Sequence, residues 1–232
     1  MKQYLLRLWP LYLLLCVIFI VLLHFGNDAI SVMAENRPIA RQNILVIDAG
    51  HGGEDGGATS CSGRLESQYN LEIAVILNDL CHLLGYETKM IRTEDISVYT
   101  QGTTLATKKV SDLRQRVSIV NNTENAILVS IHQNTFSDQR YSGAQVFYSA
   151  TDGSKELAQY LQTNLLKIDF KNKRQEKKAS GIYLMQHVQK TAVLVECGFL
   201  SNPEEEAKLR GKEYQKQICC AIVSAIDRYI NA

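Results

Sequence analysis

Four polar side chains occupy sequence positions at which α/β proteins usually bind ligands or carry out catalysis. His51 and His132 each follow an apolar run that reads as a buried strand, and Glu196 ends a third such run. A second carboxylate, Glu66, opens the first predicted helix. Ligand sites in α/β sheets gather beyond the carboxyl ends of strands, so these four side chains are expected to lie close together.

Two histidines and one carboxylate are a donor set that holds Zn²⁺ and leaves a fourth position open. A metal bound in this way lowers the pKa of its water toward about 7 and polarises a carbonyl group. A carboxylate that does not bind the metal can take the proton of the attacking water. The sequence therefore predicts one Zn²⁺ held by His51, Glu66 and His132, with Glu196 as the base.

Each of these residues also has a plainer interpretation. A single histidine after a strand is more often a hydrogen-bonding loop residue, Glu66 could be favoured by the dipole of its helix, and Glu196 could pair with an arginine. The combination favours a metal site, because only five histidines occur and two of them follow buried strands. The glycine-rich loop 50–57 has neither the G-x-G-x-x-G spacing nor the Walker lysine, which argues against phosphate binding.

Strands that alternate with helices predict a single α/β domain over 43–232, with a mostly parallel or mixed central sheet and helices on both faces. The predicted strands are 43–48, 87–91, 126–131, 144–148, 182–185 and 191–196. The predicted helices are 66–84, 111–120, 154–168 and a last helical region from Pro203 to Ile230. The polar stretches 95–110 and 171–178 are interpreted as loops.

The start of the chain differs from the rest. An apolar run of 18 residues from Leu8 to Phe25 has a core of 13 residues, Leu11 to Leu23, preceded by basic residues. The shorter length suits a signal peptide cleaved after Ala34, and the longer one suits a retained membrane anchor, so both interpretations stay open. We expect 1–34 to be this export segment and 35–42 a short linker, which places the folded part outside the cytoplasm.

Charge and cysteine content exclude several classes of protein. Residues 1–40 hold three of the 25 basic and two of the 24 acidic side chains, so the rest carries 22 of each. A balanced domain does not bind nucleic acid through a broad basic field. Five of the six cysteines lie outside the apolar segment, an odd number without a C-x-x-C pair, so we expect neither a disulfide scaffold nor a cysteine zinc site.

The sequence resembles the zinc-dependent N-acetylmuramoyl-L-alanine amidases, the catalytic domain known as amidase type 3. Matching motifs occur in order over about 43–230. They are V-I-D-A-G-H-G-G at 46–53, Glu66 with N-L-E-I-A at 70–74, R-T-E-D at 92–95, L-R-Q-R at 113–116 through Asn121, S-I-H-Q-N at 130–134 and L-V-E-C-G-F-L-S-N at 194–202. The resemblance implies that His51, Glu66 and His132 are the zinc ligands and that Glu196 is the catalytic glutamate.

Within this family the chain is most similar to the germination-specific amidases, a likeness supported by G-I-Y-L-M-Q at 181–186. The resemblance implies cleavage of the lactyl–L-alanine amide bond of peptidoglycan during spore cortex maturation, ahead of muramic δ-lactam formation. It also implies a location in the cell wall or the spore intermembrane space, and an accessory lipoprotein as a candidate partner. Asn134 could orient the substrate amide or be a turn residue beside the site.

Two other functions stay open at this point. A zinc peptidoglycan carboxypeptidase could use similar ligands but would release a terminal amino acid and leave the lactyl–alanine bond intact. A non-catalytic or partner-dependent wall-binding protein is the second alternative, and it would be suggested by loss of a ligand or of the glutamate, none of which is missing.

Overall fold

The computed structural model describes residues 43–232. The predicted signal peptide or anchor at 1–34 and the linker at 35–42 lie outside the described residues. Between residues 43 and 232, no helix combines the length and apolar character that crossing a membrane requires.

A six-stranded mixed sheet forms the centre of the fold, in the order β2-β1-β3-β6-β4-β5. Its strands are β1 (Ile44–Ala49), β2 (Glu87–Met90), β3 (Ala126–Asn134), β4 (Gln145–Tyr148), β5 (Lys177–Lys178) and β6 (Thr191–Phe199). The strand pairs are parallel except for β4, which runs antiparallel to β6. The predicted mixed α/β sheet is confirmed.

Helices cover both faces of the sheet. They are α1 (Glu66–Leu83), α2 (Leu105–Asn121), α3 (Ser154–Ile168), α4 (Tyr183–His187), α5 (Pro203–Leu209) and α6 (Lys212–Ile230). The buried residues of α1, α3 and α6 pack in one core cluster, and those of α2 and α4 pack in a second. Strand β1 shows why both clusters form, because Leu45 and Ile47 enter the first core while Val46 enters the second. Continuous apolar strands of this kind are typical of sheets covered on both faces.

Helix α2 begins earlier than the sequence predicts. We expected a helix from Ser111, but α2 begins at Leu105, and Thr104 and Thr107 form a reciprocal capping box. This arrangement satisfies two backbone N–H groups that would otherwise lack a partner. The hydroxyl of Ser111 instead accepts hydrogen bonds from the backbone N–H groups of Thr100 and Gln101.

Two further predictions differ from the structure. The predicted strand at 182–185 is wrong, because Tyr183–His187 is a short helix whose Leu184 and Met185 pack in the second core. Short apolar runs do not distinguish a strand from a buried helix. The last helical region is divided at Gly211, which is the N-cap of α6.

The cysteines behave largely as small core residues. All five cysteines of the described chain are unpaired. Cys81, Cys197 and Cys219 are buried, whereas Cys61 and Cys220 are exposed. The prediction that no disulfide framework supports the fold therefore holds for residues 43–232.

Candidate metal centre

Three adjacent strands bring the predicted site residues to one edge of the sheet. His51 lies in the loop that follows β1. Strands β3 and β6 extend beyond their predicted ends, so His132 and Glu196 lie within them and are paired in the parallel ladder. Glu66 is the first residue of α1 and is buried. The structure thus brings together all four residues selected from the sequence.

His51, Glu66 and His132 form a compact donor cluster. One ligand atom from each lies within 4.8 Å of the other two. The Nε2 atom of His51 is 3.3 Å from Oε2 of Glu66, and Nδ1 of His132 is 3.0 Å from Oε1 of the same carboxylate. The two imidazole rings are nearly perpendicular, with centroids 5.0 Å apart. Two nitrogens and a carboxylate that converge in this way fit the donor preferences of Zn²⁺.

The cluster is electrostatically prepared for a cation. Burial works against the charged form of Glu66, but the hydrogen bonds and charges of His132 and His51 hold the pKa of Glu66 well below its usual range. Burial also disfavours a charged His51, yet its hydrogen bonds to Asp55 and Glu66 raise the pKa of His51 to about 9. The site therefore concentrates negative charge around the two imidazoles.

Asp55 orients His51. Its Oδ2 atom lies 2.9 Å from Nδ1 of His51 and 3.1 Å from Nζ of Lys109. Its Oδ1 atom accepts a hydrogen bond from the backbone N–H of Gly57 at 3.3 Å. A carboxylate behind a ligating histidine fixes the ring and its tautomer, which leaves the other nitrogen free for a metal.

Backbone shape lets the ligands approach one another. A Cβ atom at Gly50 would overlap the imidazole of His132, and one at Gly57 would lie 2.6 Å from Oε2 of Glu66. His51 itself has a left-handed backbone, with φ at 60°. That conformation costs a residue other than glycine about 1–2 kcal/mol, so the surrounding loop must hold His51 in place.

Glu66 is fixed by hydrogen bonds from three directions. Its Oε2 accepts from the backbone N–H of Ala58 at 3.0 Å, and Oε1 accepts from the backbone N–H of Gln133 at 3.2 Å. The side-chain amide of Asn70 donates both to Oε1 of Glu66 and to the carbonyl of Gly50. These contacts tie α1, β3 and the glycine loop to one carboxylate.

Two buried arginines hold the loop that follows β1 through hydrogen bonds to its backbone carbonyls. The guanidinium of Arg116 forms a buried ion pair with Asp48 and donates to the carbonyls of Ala49 and His51. Arg92 donates to the carbonyls of Ala49 and Gly50, among others, and lies 4.0 Å from Asp95. Both arginines thus hold the loop, and backbone carbonyls provide most of the contacts of Arg92.

Glu196 lies beside the cluster without a partner of its own. Its Oε2 atom is buried and has no hydrogen-bond partner among residues 43–232. Burial raises the pKa of Glu196 to about 7. The charges of His132 and His51 lower this pKa, whereas the charge of Glu66 raises it further. A proton acceptor works best when its pKa lies near the working pH.

Asn134 ends β3 and is half-buried. Its side-chain oxygen accepts a hydrogen bond from the backbone N–H of Thr135 at 2.8 Å. This contact is the one expected of a turn residue, and a role in orienting substrate stays a prediction.

A cavity of about 190 Å³ adjoins the centre, and its lining includes His51, His132, Lys109 and Tyr183. A larger groove of about 660 Å³ lies along the outer surface of α2 and includes none of the four site residues. The smaller cavity is the one next to the reactive groups.

Sequence reasoning missed the residues that support the ligands. Asp55, Lys109 and Gln133 were not selected, although Asp55 is only four residues after His51. A carboxylate close to a ligating histidine is a usable signal, because ligating histidines normally donate their other N–H group. Lys109 left no such signal, since it reaches Asp55 only after α2 packs beside the loop.

Comparisons with known proteins show which family this chain resembles. A family model described as N-acetylmuramoyl-L-alanine amidase matches residues 45–228. The germination-specific N-acetylmuramoyl-L-alanine amidase of Bacillus subtilis (strain 168) is 39% identical over 188 residues, covering 80% of this chain and 79% of that protein.

Solved structures of amidases are also similar to this chain. The CwlD amidase from Clostridioides difficile, in complex with the GerS lipoprotein, matches with a TM-score of 0.78 and 36% identity, over 82% of this chain and 98% of that one. An N-acetylmuramoyl-L-alanine amidase from Clostridium difficile 630 matches with a TM-score of 0.72 and 31% identity, over 83% and 98% of the two chains.

Proposed function

This chain belongs to the N-acetylmuramoyl-L-alanine amidase family, and from that membership we propose that His51, Glu66, His132 and Glu196 carry out its reaction. The chain is a hydrolase of the amide bond between the lactyl group of N-acetylmuramic acid and L-alanine in peptidoglycan. The observation that carries the assignment of residues is the donor cluster, whose three ligand atoms lie within 4.8 Å of one another.

One Zn²⁺ is the cofactor that the donor set fits. His51 and His132 would provide nitrogen ligands and Glu66 an oxygen ligand, with Asp55 behind His51. When bound, the metal would polarise the scissile carbonyl and make water a better nucleophile at neutral pH.

Glu196 moves the proton. Its carboxylate takes a proton from the water whose oxygen forms the new bond to the lactyl carbon. It then returns that proton to the nitrogen of L-alanine as the C–N bond breaks, so that the muramic acid carboxylate and the free amine of the stem peptide are the products. The buried, unpartnered Oε2 atom and a pKa of about 7 suit a group that must both accept and donate.

Asn134 is the candidate for orienting the substrate amide, because it ends β3 two residues after His132. Its side-chain oxygen already binds the backbone N–H of Thr135, which leaves the side-chain amide as the donor that would reach substrate. We also propose that the catalytic domain spans 43–232, after an export segment at 1–34 and a linker at 35–42.

We assign the reaction to spore cortex maturation, outside the cytoplasm. The support is the likeness to the germination-specific enzyme of Bacillus subtilis and to CwlD. The CwlD structure contains the GerS lipoprotein, which supports an accessory lipoprotein as a partner of this chain also. Zinc content and activity, measured with and without a co-expressed lipoprotein, would test that dependence.

Mass spectrometry of digested muropeptides tests the reaction itself. An amidase releases the whole stem peptide and leaves a peptide-free muramic acid. A carboxypeptidase would release one terminal amino acid and leave the lactyl–alanine bond intact, and that product would overturn the proposal. A zinc-loaded protein that yields neither product, with or without a lipoprotein partner, would favour a wall-binding protein without catalysis.

A further inference from the structure

Two aromatic side chains are exposed beside the candidate metal centre. Phe136 and Tyr141 are 50% and 46% exposed, and their ring centroids lie 4.5 Å apart. Both belong to the segment that leaves β3 directly after Asn134. Two adjacent exposed aromatic rings provide a rigid apolar surface on which a ligand can pack. We refer to Phe136 and Tyr141, with Phe199 beneath them, as the aromatic platform.

The aromatic platform is held in place before any ligand arrives. The backbone N–H of Phe136 donates to the hydroxyl of Ser201 at 3.1 Å, and the side-chain amide of Asn202 donates to the carbonyl of Tyr141 at 3.4 Å. The guanidinium of Arg174 lies 4.5 Å from the centroid of Phe199 and 5.8 Å from that of Tyr141. A prepared surface of this kind binds at a lower entropic cost than a mobile loop.

The platform is continuous with the catalytic strands. Phe199 pairs with Asn134 in the β3–β6 ladder, three residues after Glu196, and its ring centroid is 6.3 Å from that of Tyr141. Phe136 follows His132 by four residues, so their Cα atoms are at most about 14 Å apart along an extended chain. A polymer bound at the metal centre therefore has neighbouring units within reach of the platform.

We infer that the aromatic platform binds a sugar ring of the glycan strand, next to the muramic acid whose amide bond is cleaved. This inference rests on the proposed function, since it assigns a subsite for the same substrate. A pyranose presents one apolar face of C–H groups, which packs on an aromatic ring and matches its size.

The chemistry of the platform favours the glycan over the stem peptide. Carboxylates of a stem peptide would need free cationic groups. Two cations lie at the platform. Arg174 donates through Nε and Nη1 to the carbonyl of Ser142 and the side chain of Gln145, and Arg140 is paired with Asp138. The exposed surface of the platform consists of aromatic rings, which suits an uncharged N-acetylated sugar.

Binding of peptide-free glycan strands to the full-length protein tests the inference, with affinity measured by calorimetry. The double variant Phe136→Ala/Tyr141→Ala should bind about tenfold more weakly, the loss expected when aromatic contacts are removed. Tyr141→Phe keeps both rings and should bind as the unmodified protein does. The matched control is Phe170→Ala, because Phe170 is 83% exposed and lies in the segment after α3. Its affinity should stay within about twofold of the unmodified value.

A kinetic comparison gives a second, independent measurement. The ratio of kcat/KM for a peptide-bearing tetrasaccharide to that for a single muramoyl-peptide should fall about tenfold in the double variant. The Phe170→Ala control should keep the original ratio. Equal losses on both substrates, or an unchanged ratio with unchanged glycan affinity, would overturn the inference.

The two proposals fail in different ways. A zinc-loaded protein that binds peptide-free glycan through the platform but releases no stem peptide, with or without a lipoprotein partner, contradicts the amidase assignment and leaves the subsite standing. A protein that cleaves muropeptides while the double variant binds glycan with undiminished affinity contradicts the subsite alone. A double variant that loses as much affinity for the free stem peptide as for the glycan would also overturn it.

Discussion

The Nδ1 atom of His51 contacts Oδ2 of Asp55 at 2.9 Å, so that Nε2 is the nitrogen directed at Glu66. Asp55 accepts the Nδ1–H bond, so the ring that loses a proton to bind a metal would do so at Nε2. Lys109 approaches the same oxygen of Asp55 at 3.1 Å. A contact outside the donor cluster therefore decides which atom of His51 a metal would meet.

Removing this contact should weaken zinc binding. We expect the zinc dissociation constant of Asp55→Ala to rise about 10–100-fold, because the ring of His51 loses its orientation. Competition with a chromophoric chelator measures the constant without relying on activity. Glu54→Ala is the control, since Glu54 is the adjacent acidic residue and pairs with Lys108 at the surface. Unaltered zinc affinity in Asp55→Ala would show that Asp55 does not position His51.

Glu196→Gln should separate metal binding from catalysis. The amide keeps the size of the side chain but cannot take the proton, so hydrolysis of muropeptides should fall about 10²–10⁴-fold. Zinc content and melting temperature should match those of the unmodified protein. Glu204→Gln, an exposed change on α5, serves as the control and should retain full activity. A Glu196→Gln protein that cleaves at the normal rate while holding zinc would exclude Glu196 as the base.

A methyl group at Gly50 should disrupt the metal centre. The Cβ atom of Gly50→Ala would overlap the imidazole of His132, so we expect loss of bound zinc together with about 1–3 kcal/mol of stability. Zinc stoichiometry and thermal unfolding measure the two effects separately. Gly63→Ala is the matched control, because Gly63 has φ at +86° but nothing within 4 Å of the added atom. That variant should lose stability through backbone strain and still bind zinc; full zinc occupancy in Gly50→Ala would contradict the predicted clash.

The buried Asp48–Arg116 pair should make stability depend on acid pH. Burial disfavours the carboxylate of Asp48, but Arg116, His132 and Ser130 hold its pKa below the ordinary 3.8. Because the folded-state pKa is depressed, this contribution is fully present above the unfolded value of 3.8 and is lost as the pH falls through the lower folded-state pKa. Asp48→Asn removes one of the two carboxylates that pair with Arg116 and leaves Asp112 as the other, so it should cost about 1–3 kcal/mol at neutral pH.

Urea unfolding of Asp48→Asn as a function of pH checks this prediction. The free energy of unfolding should fall less steeply below about pH 4 than in the unmodified protein, because the titrating group is gone. Glu213→Gln removes an exposed pair with Lys216 and should change stability by at most about 1 kcal/mol. Equal effects of the two substitutions would show that burial of the Asp48–Arg116 pair is of no consequence.

The donor cluster could be predicted because its residues come after apolar runs or at the start of a predicted helix. His51 and His132 each come after a long apolar run, and the parallel order of β1, β3 and β6 brings the carboxyl ends of these strands to one edge. Helix α3 was predicted with the bounds that the structure has, Ser154–Ile168, because its apolar residues recur at helical spacing.

Other features depend on contacts between distant segments and left weaker signals. The early start of α2 depends on a capping box of two threonines, whereas the more familiar box ends in glutamate or glutamine. The short helix at Tyr183–His187 is decided by packing against the second core. The aromatic platform forms only when the segment after β3 meets Phe199 of β6.

The left-handed backbone at His51 has a bearing on how this lineage can evolve. A residue such as asparagine adopts that conformation more readily than histidine does, so His51→Asn would remove a ligand and relax the loop in one step. Such a variant would keep a folded domain and lose the proposed ligand. The backbone at this position therefore does not itself require histidine; the proposed metal centre does.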